Sequence, residues 1–296
     1  MWTSKGKTGF LPVSSLLLAA TLWGLVWYPL RLLEQHGLIG LWTILVSYSA
    51  VILPALWLLG RYRAEIGKNP LIFLALALAS GWCNVAFIMA VLEGTVVRVM
   101  LLFYLSPIWT VILGWLLLGE RLSLRALGIF SVAMLGALIM LWDPEINTLW
   151  PGSNADVLAL SSGFAFSLSN VLVRKMQHTP LAIKAALNWT GVLLVALVWL
   201  LLAEIHLPAV SQSVILGAVA LGIGGFVVMT LAVQYGVSHM PVHRSAVILL
   251  FELVVGAISS LLLANELITY REWIGGIFVI SATLLSTRVQ EPEAQG

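Results

Sequence analysis

Glu252 is the only acidic side chain at the centre of a long apolar run in this sequence. An ionised carboxyl in a low-dielectric interior is costly, so its protonation would couple to any charge that binds beside it. At helical spacing Ile248, Glu252, Gly256 and Ser259 fall on one stripe that should face other helices. That arrangement suits a counter-charge for a substrate amine or a site of protonation, and equally a hydrogen-bonded carboxyl that orders the bundle. Two amides pose the same choice: Asn84, on a face with Ser80 and Phe87, and Asn170, in an i,i+4 row with Ser162, Phe166 and Arg174. Each fits a substrate carboxylate or amine, or a cross-helix pair of about 0.6–2 kcal/mol. The rings of Trp23, Trp82, Tyr104 and Phe166 fall at similar depth, where they suit an apolar pocket with cation–π contacts to an ammonium, or plain packing. Pro107 removes a backbone hydrogen bond in mid-helix and should act as a kink, with Tyr104 and Ser106 beside the carbonyl it frees.

Other patterns point away from covalent or metal chemistry. His239 and His243 have the i,i+4 spacing of metal ligands, but Pro241 lies between them in a turn. The lone Cys83 excludes an internal disulfide and a thiolate metal site. Gly222-Ile-Gly-Gly225 has no strand before it, so it reads as close helix contact and not as a dinucleotide loop. Asn188-Trp-Thr190 matches a glycosylation sequon inside an apolar run, where it should stay unmodified. No phosphate loop, zinc-protease motif or Ser/Lys dyad is present, so no cofactor is expected, and there is no soluble segment for an ATP-driven pump.

The elements that hold these residues follow from composition. Only 9% of the 296 residues are charged and 60% are apolar, too little charge to cover a water-facing surface. The basic residues are scattered, with no stripe for nucleic acid. Crossing ~30 Å of hydrocarbon takes about 20 residues of helix, and such runs occur at residues 12–33, 38–60, 70–92, 96–118, 124–142, 155–175, 181–203, 211–235, 243–264 and 272–288. The expected fold is therefore an all-α integral membrane protein of ten transmembrane helices, since helices satisfy their own backbone in lipid. The first run, behind Lys5 and Lys7, has no small-residue cleavage pattern and is expected to be a retained helix. With a cytoplasmic N-terminus, 12 of the 15 lysines and arginines fall on the inner side and only Arg31, Arg98 and Arg271 outside, so both termini are expected inside.

The chain also repeats. Glu120, Ser123 and Arg125 recur as Glu266, Thr269 and Arg271 at a constant spacing of 146, and the region from Trp23 to Arg31 loosely parallels that from Phe166 to Arg174. Residues 1–150 and 151–296 are thus expected to be two five-helix repeats, and an odd helix number inverts the second. Inverted repeats commonly place a substrate near the midplane between them.

The stretch Tyr104-Leu-Ser-Pro107 through Leu118-Gly119-Glu120-Arg-Leu-Ser123 resembles the signature of EamA-type transporters of the drug/metabolite transporter superfamily. Phe251-Glu252-Leu253 through Glu266-Leu-Ile-Thr269 resembles its second copy, and Trp23-Gly24 the first-helix motif. Leu253 stands where the family usually has proline, so nothing in the second copy calls for a kink to match Pro107. The resemblance implies a secondary transporter of small molecules, and its nearest branch implies export of aromatic and other neutral amino acids across a bacterial inner membrane by alternating access. The alternatives are a carrier of another metabolite or drug and, from a different class, an intramembrane enzyme. The shortage of midplane cations argues against phosphorylated substrates.

Overall fold

The computed structural model describes residues 10–142, 150–264 and 267–288, and within these the chain is helical with no strand. Glu266 and Asn265 of the second repeat motif lie outside the described residues. The elements are α1 (Phe10–Leu25), α2 (Trp27–Gln35), α3 (Gly40–Ser49), α4 (Ile52–Arg61), α5 (Arg63–Ile66), α6 (Pro70–Glu93), α7 (Val96–Phe103), α8 (Ser106–Leu118), α9 (Leu124–Leu141), α10 (Asn154–Lys175), α11 (Leu181–Leu202), α12 (Gln212–Leu221), α13 (Val227–Ser238), α14 (Val242–Leu249), α15 (Phe251–Ala264) and α16 (Tyr270–Arg288). A π-helical turn, Gly222–Phe226, joins α12 to α13.

Among the described residues eight helical stretches are long and apolar enough to cross a membrane, and α3–α4, bent by 57°, makes a ninth if taken as one span. The expected ten differs at the end of the chain. There α16 has 19 residues, but Arg271 and Glu272 sit in its first turn and shorten its apolar stretch.

Several spans are broken, and the breaks have local causes. Pro107 cannot donate to the carbonyl of Phe103, and α7 stops there while α8 restarts at Ser106. Pro54 stands in the same relation to Ala50 at the α3–α4 bend, and Pro29 to Leu25 where α1 passes into α2; neither break was expected from the apolar runs. A break without such a cause separates α14 from α15. Without any proline, Leu253 N–H shortens its bond to the Leu250 carbonyl (3.1 Å), so the span breaks opposite the break at Pro107.

Close helix contact rests on small residues. A Cβ on Gly163 would come within 2.7 Å of the Phe103 carbonyl, so α10 covers the backbone that Pro107 leaves free. Gly81 of α6 and Gly191 of α11 each abut backbone of the facing helix. Gly136 and Gly275 do the same for α9 and α16. The Gly222 cluster divides: Gly222 abuts the Ser47 carbonyl, whereas Gly224 has nothing within 4 Å.

Candidate functional site

Two broken spans bring candidate residues together. The α7–α8 span and the α14–α15 span meet through α8 and α14, near Glu120. Beyond their breaks they part: α7 packs on α10, α6 and α9, while α15 packs on α1 and α16. Tyr104 lies at the first break and Glu252 just past the second, so the pair marks the fork.

At that fork the Tyr104 side chain lies beside the Glu252 carboxyl. Tyr104 is 7% exposed, and the Glu252 side chain is only partly buried. No ion pair of Glu252 occurs among the described residues, which leaves the carboxyl with a neutral neighbour. Behind Tyr104 the rings form a chain: Phe103 lies edge-on to it at 5.4 Å, Phe87 of α6 reaches Phe103 at 4.9 Å, and Phe166 of α10 at 5.6 Å. On the other side α1 comes in at Gly24, where a Cβ would meet the Glu252 carbonyl at 2.7 Å. Ser259 then donates to the Gly24 carbonyl (3.1 Å) and accepts from Trp27 Nε1 (2.8 Å). The Glu252–Gly256–Ser259 stripe thus faces α1, and Ile248 on the same stripe is fully buried.

The other sequence-derived candidates scatter. Ser106 is 3% exposed, and its carbonyl accepts from Ser167 of α10 (2.6 Å), so it lies in a helix interface. Trp23 packs toward Phe226 (6.1 Å), next to the π turn. Trp82 donates to Ser161 (3.1 Å) and stacks obliquely on Trp199, while Asn84 bonds the Ser80 carbonyl of its own helix (3.0 Å). Asn170 is buried one turn beyond Phe166.

Sequence reading missed Phe103, although it adjoins Tyr104, and placed Phe87 only on the face of Asn84. It also treated three charges only as markers of sidedness. Arg174 binds the Glu120 carboxylate (3.1 Å) and the Ser238 carbonyl (2.9 Å), holding the C-terminus of α13. Lys184, 1% exposed, donates to the Met176 carbonyl and to Ser238 Oγ, a cation placed where α10 and α13 end. At the opposite end of α10 Arg98 clasps Asp156 through two bonds (2.7 and 2.9 Å), and Asp156 also completes a capping box with Ser153.

A multi-pass helical bundle with a carboxyl at the fork of two broken spans has the build of a membrane transporter. The chain belongs to the EamA-like transporter family, whose sequence profile matches it twice, over residues 11–142 and 153–288. It is 32% identical over 195 residues to an uncharacterized transporter of Pseudomonas aeruginosa, a match that covers 62% of this chain and 61% of that protein's length. To an uncharacterized transporter of Archaeoglobus fulgidus it is 21% identical over 83% of this chain and 87% of the other. A protein of known crystal structure superposes with a TM-score of 0.74 over 94% of this chain and 98% of its own; at 14% identity that likeness concerns the fold alone.

Proposed function

We propose that this EamA-family protein exports neutral amino acids, aromatic ones included, across the bacterial inner membrane by alternating access. Residues 1–150 and 151–296 are its two inverted five-helix halves in this reading, with α16 as the tenth span and both termini cytoplasmic. Its mode of action is transport without covalent chemistry. The observation that carries it is the Tyr104–Glu252 pair at the fork, a carboxyl with no cationic partner among the described residues and aromatic rings behind it. A substrate ammonium would supply the missing charge, and Phe103 and Phe166 would take up an apolar side chain. The described lysines and arginines lie near the ends of the spans, so a phosphorylated substrate would find no cation at this depth. The twofold family match supports the division into halves.

Purified protein in liposomes, assayed with a panel of radiolabelled amino acids and sugars, tests the substrate class. Phenylalanine and other neutral amino acids should exchange, and Phe166→Ala should shift the preference toward a different side-chain size. Counterflow of a nucleotide sugar with none for amino acids would overturn the reading.

Sidedness has its own test. Cysteines replacing the exposed residues Ser211 and Asn69, one at a time on a Cys83→Ala background, should label differently in whole cells. The position-211 cysteine should react with an impermeant thiol reagent and the position-69 cysteine should not. The reverse pattern would sink the orientation.

A further inference from the structure

The Glu120 carboxylate has two partners on two different spans. One oxygen accepts from Arg174 Nε (3.1 Å) at the end of α10, and the other accepts from the backbone N–H of Val242 (2.8 Å), the first residue of α14. Val242 also seats its side chain against Gly114 of α8, where a Cβ would come within 2.5 Å of Val242 Cγ2. These contacts close the α7–α8 and α14–α15 spans on each other at one face of the bundle, below the fork where the same spans part.

The two bonds of Glu120 differ in what they join. Glu120 and Arg174 belong to spans in contact from end to end: Arg98 with Asp156 at the far face, the Phe103 carbonyl on Gly163, Trp109 edge-on to Phe164 (5.7 Å), and Ser167 on the Ser106 carbonyl. Spans fixed at both ends and in the middle move together. The Glu120–Val242 bond instead crosses to a span that meets α7–α8 chiefly through α14 on α8 and packs its other half on α1 and α16. Opening this face must therefore break the bond to Val242, while the pair with Arg174 can persist.

We propose that Glu120 is a latch: through the N–H of Val242 it holds the α14 end of the α14–α15 span against α8 and keeps this face shut, while Arg174 keeps the carboxylate aimed. Glu120 and Arg174 are thus positioning residues for transport, since neither reaches the fork. The inference rests on the alternating-access reading but assigns a gate that reading does not name.

Because the acceptor is held by a backbone N–H, one substitution removes the bond, and a second accounts for the side-chain packing that is lost with it. Val242 is the first residue of α14 and follows Pro241, which has φ −56° and ψ 141°. That position tolerates proline, which lacks the N–H, and the preceding extended backbone suits it. Val242→Ala keeps the N–H and loses side-chain packing, the contact with Gly114 included. The experiment is a pair of spin-label distances on a Cys83→Ala background, with labels at Arg121 and His239 for the latched face and at Val97 and Leu262 for the open one. All four positions are exposed.

In the parent protein the 121/239 distance should be short and the 97/262 distance long. Val242→Pro should raise the fraction with a long 121/239 distance about tenfold, the size expected for losing one hydrogen bond to a charged group. Val242→Ala should stay near the parent distribution. Parent-like distances in Val242→Pro would overturn the latch, as would equal shifts in both variants, which would assign the closure to packing on Gly114. If Val242→Pro does not fold, Glu120→Ala carries the same test, and an unchanged 121/239 distance in it is equally fatal. Parent distances that fail to respond to added phenylalanine would count against alternating access, and that outcome is read separately from the variants.

Discussion

Glu252→Gln should fold like the parent and lose about ten- to a hundredfold in amino-acid flux, the loss expected when a charge-assisted hydrogen bond worth ~1.5–3 kcal/mol disappears. Glutamine keeps the shape of the side chain beside Tyr104. It removes the negative charge and the titration, so the effect isolates what the charge does. If the carboxyl binds a substrate ammonium, apparent affinity falls most for substrates with a free amine. If it also carries a proton, the pH dependence of flux flattens. Counterflow in liposomes at several pH values, with circular dichroism and gel filtration as folding controls, gives the answer. A folded Gln variant whose flux matches the parent at every pH would reduce Glu252 to a packing residue. Tyr104→Phe is a useful companion, because it leaves the carboxyl in place and takes away the neighbouring hydroxyl.

Gly191→Leu should abolish the folded protein, whereas Gly128→Leu should leave it intact. A Cβ on Gly191 would overlap the Ala77 backbone carbonyl of α6, and one on Gly81 across the contact would crowd Gly191 and Val195. Backbone cannot step aside as a flexible side chain can. Overpacking a fitted interior costs ~1–3 kcal/mol even where side chains are able to move, and in lipid such backbone-to-backbone approach is the main thing that holds helices together. Gly128, on the exposed face of α9, has nothing within 4 Å of a Cβ. Yield of monodisperse protein on gel filtration, followed by its melting temperature, checks both variants. A well-folded Gly191→Leu would show that α6 and α11 are not joined as described.

Membrane insertion, helical class and family could be read from residues alone, because each depends on local or summed properties. Low charge dictates lipid exposure wherever the chain goes, and Pro107 disrupts its helix in any packing. The spacing of Glu120 and Glu266 revealed the repeat without any knowledge of what either residue touches. Glu252 stood out because a carboxyl in a long apolar run is expensive in every arrangement. The candidate rings were harder: Trp82 and Phe166 look alike at the level of apolar runs, yet Phe166 joins the Tyr104 cluster and Trp82 faces Ser161 and Trp199.

The partnerships between distant residues needed the tertiary structure. Glu252 meets Tyr104 across 148 positions of sequence, and Glu120 reaches the N–H of Val242 across 122. A hydrogen bond depends on a few ångströms of separation and on direction, and neither is encoded in residue type or period. The break between α14 and α15 shows the same limit, since it forms without the proline that explains its counterpart. Charges counted only for sidedness, Arg98, Arg174 and Lys184, turned out to hold helix ends and neighbouring spans. Sequence alone therefore determined the solvent, the element type and the repeat, because these follow from sums along the chain. Tertiary structure alone decided which carboxylate bonds the start of α14 and which lies beside Tyr104 at the fork, because that choice is made by geometry between spans.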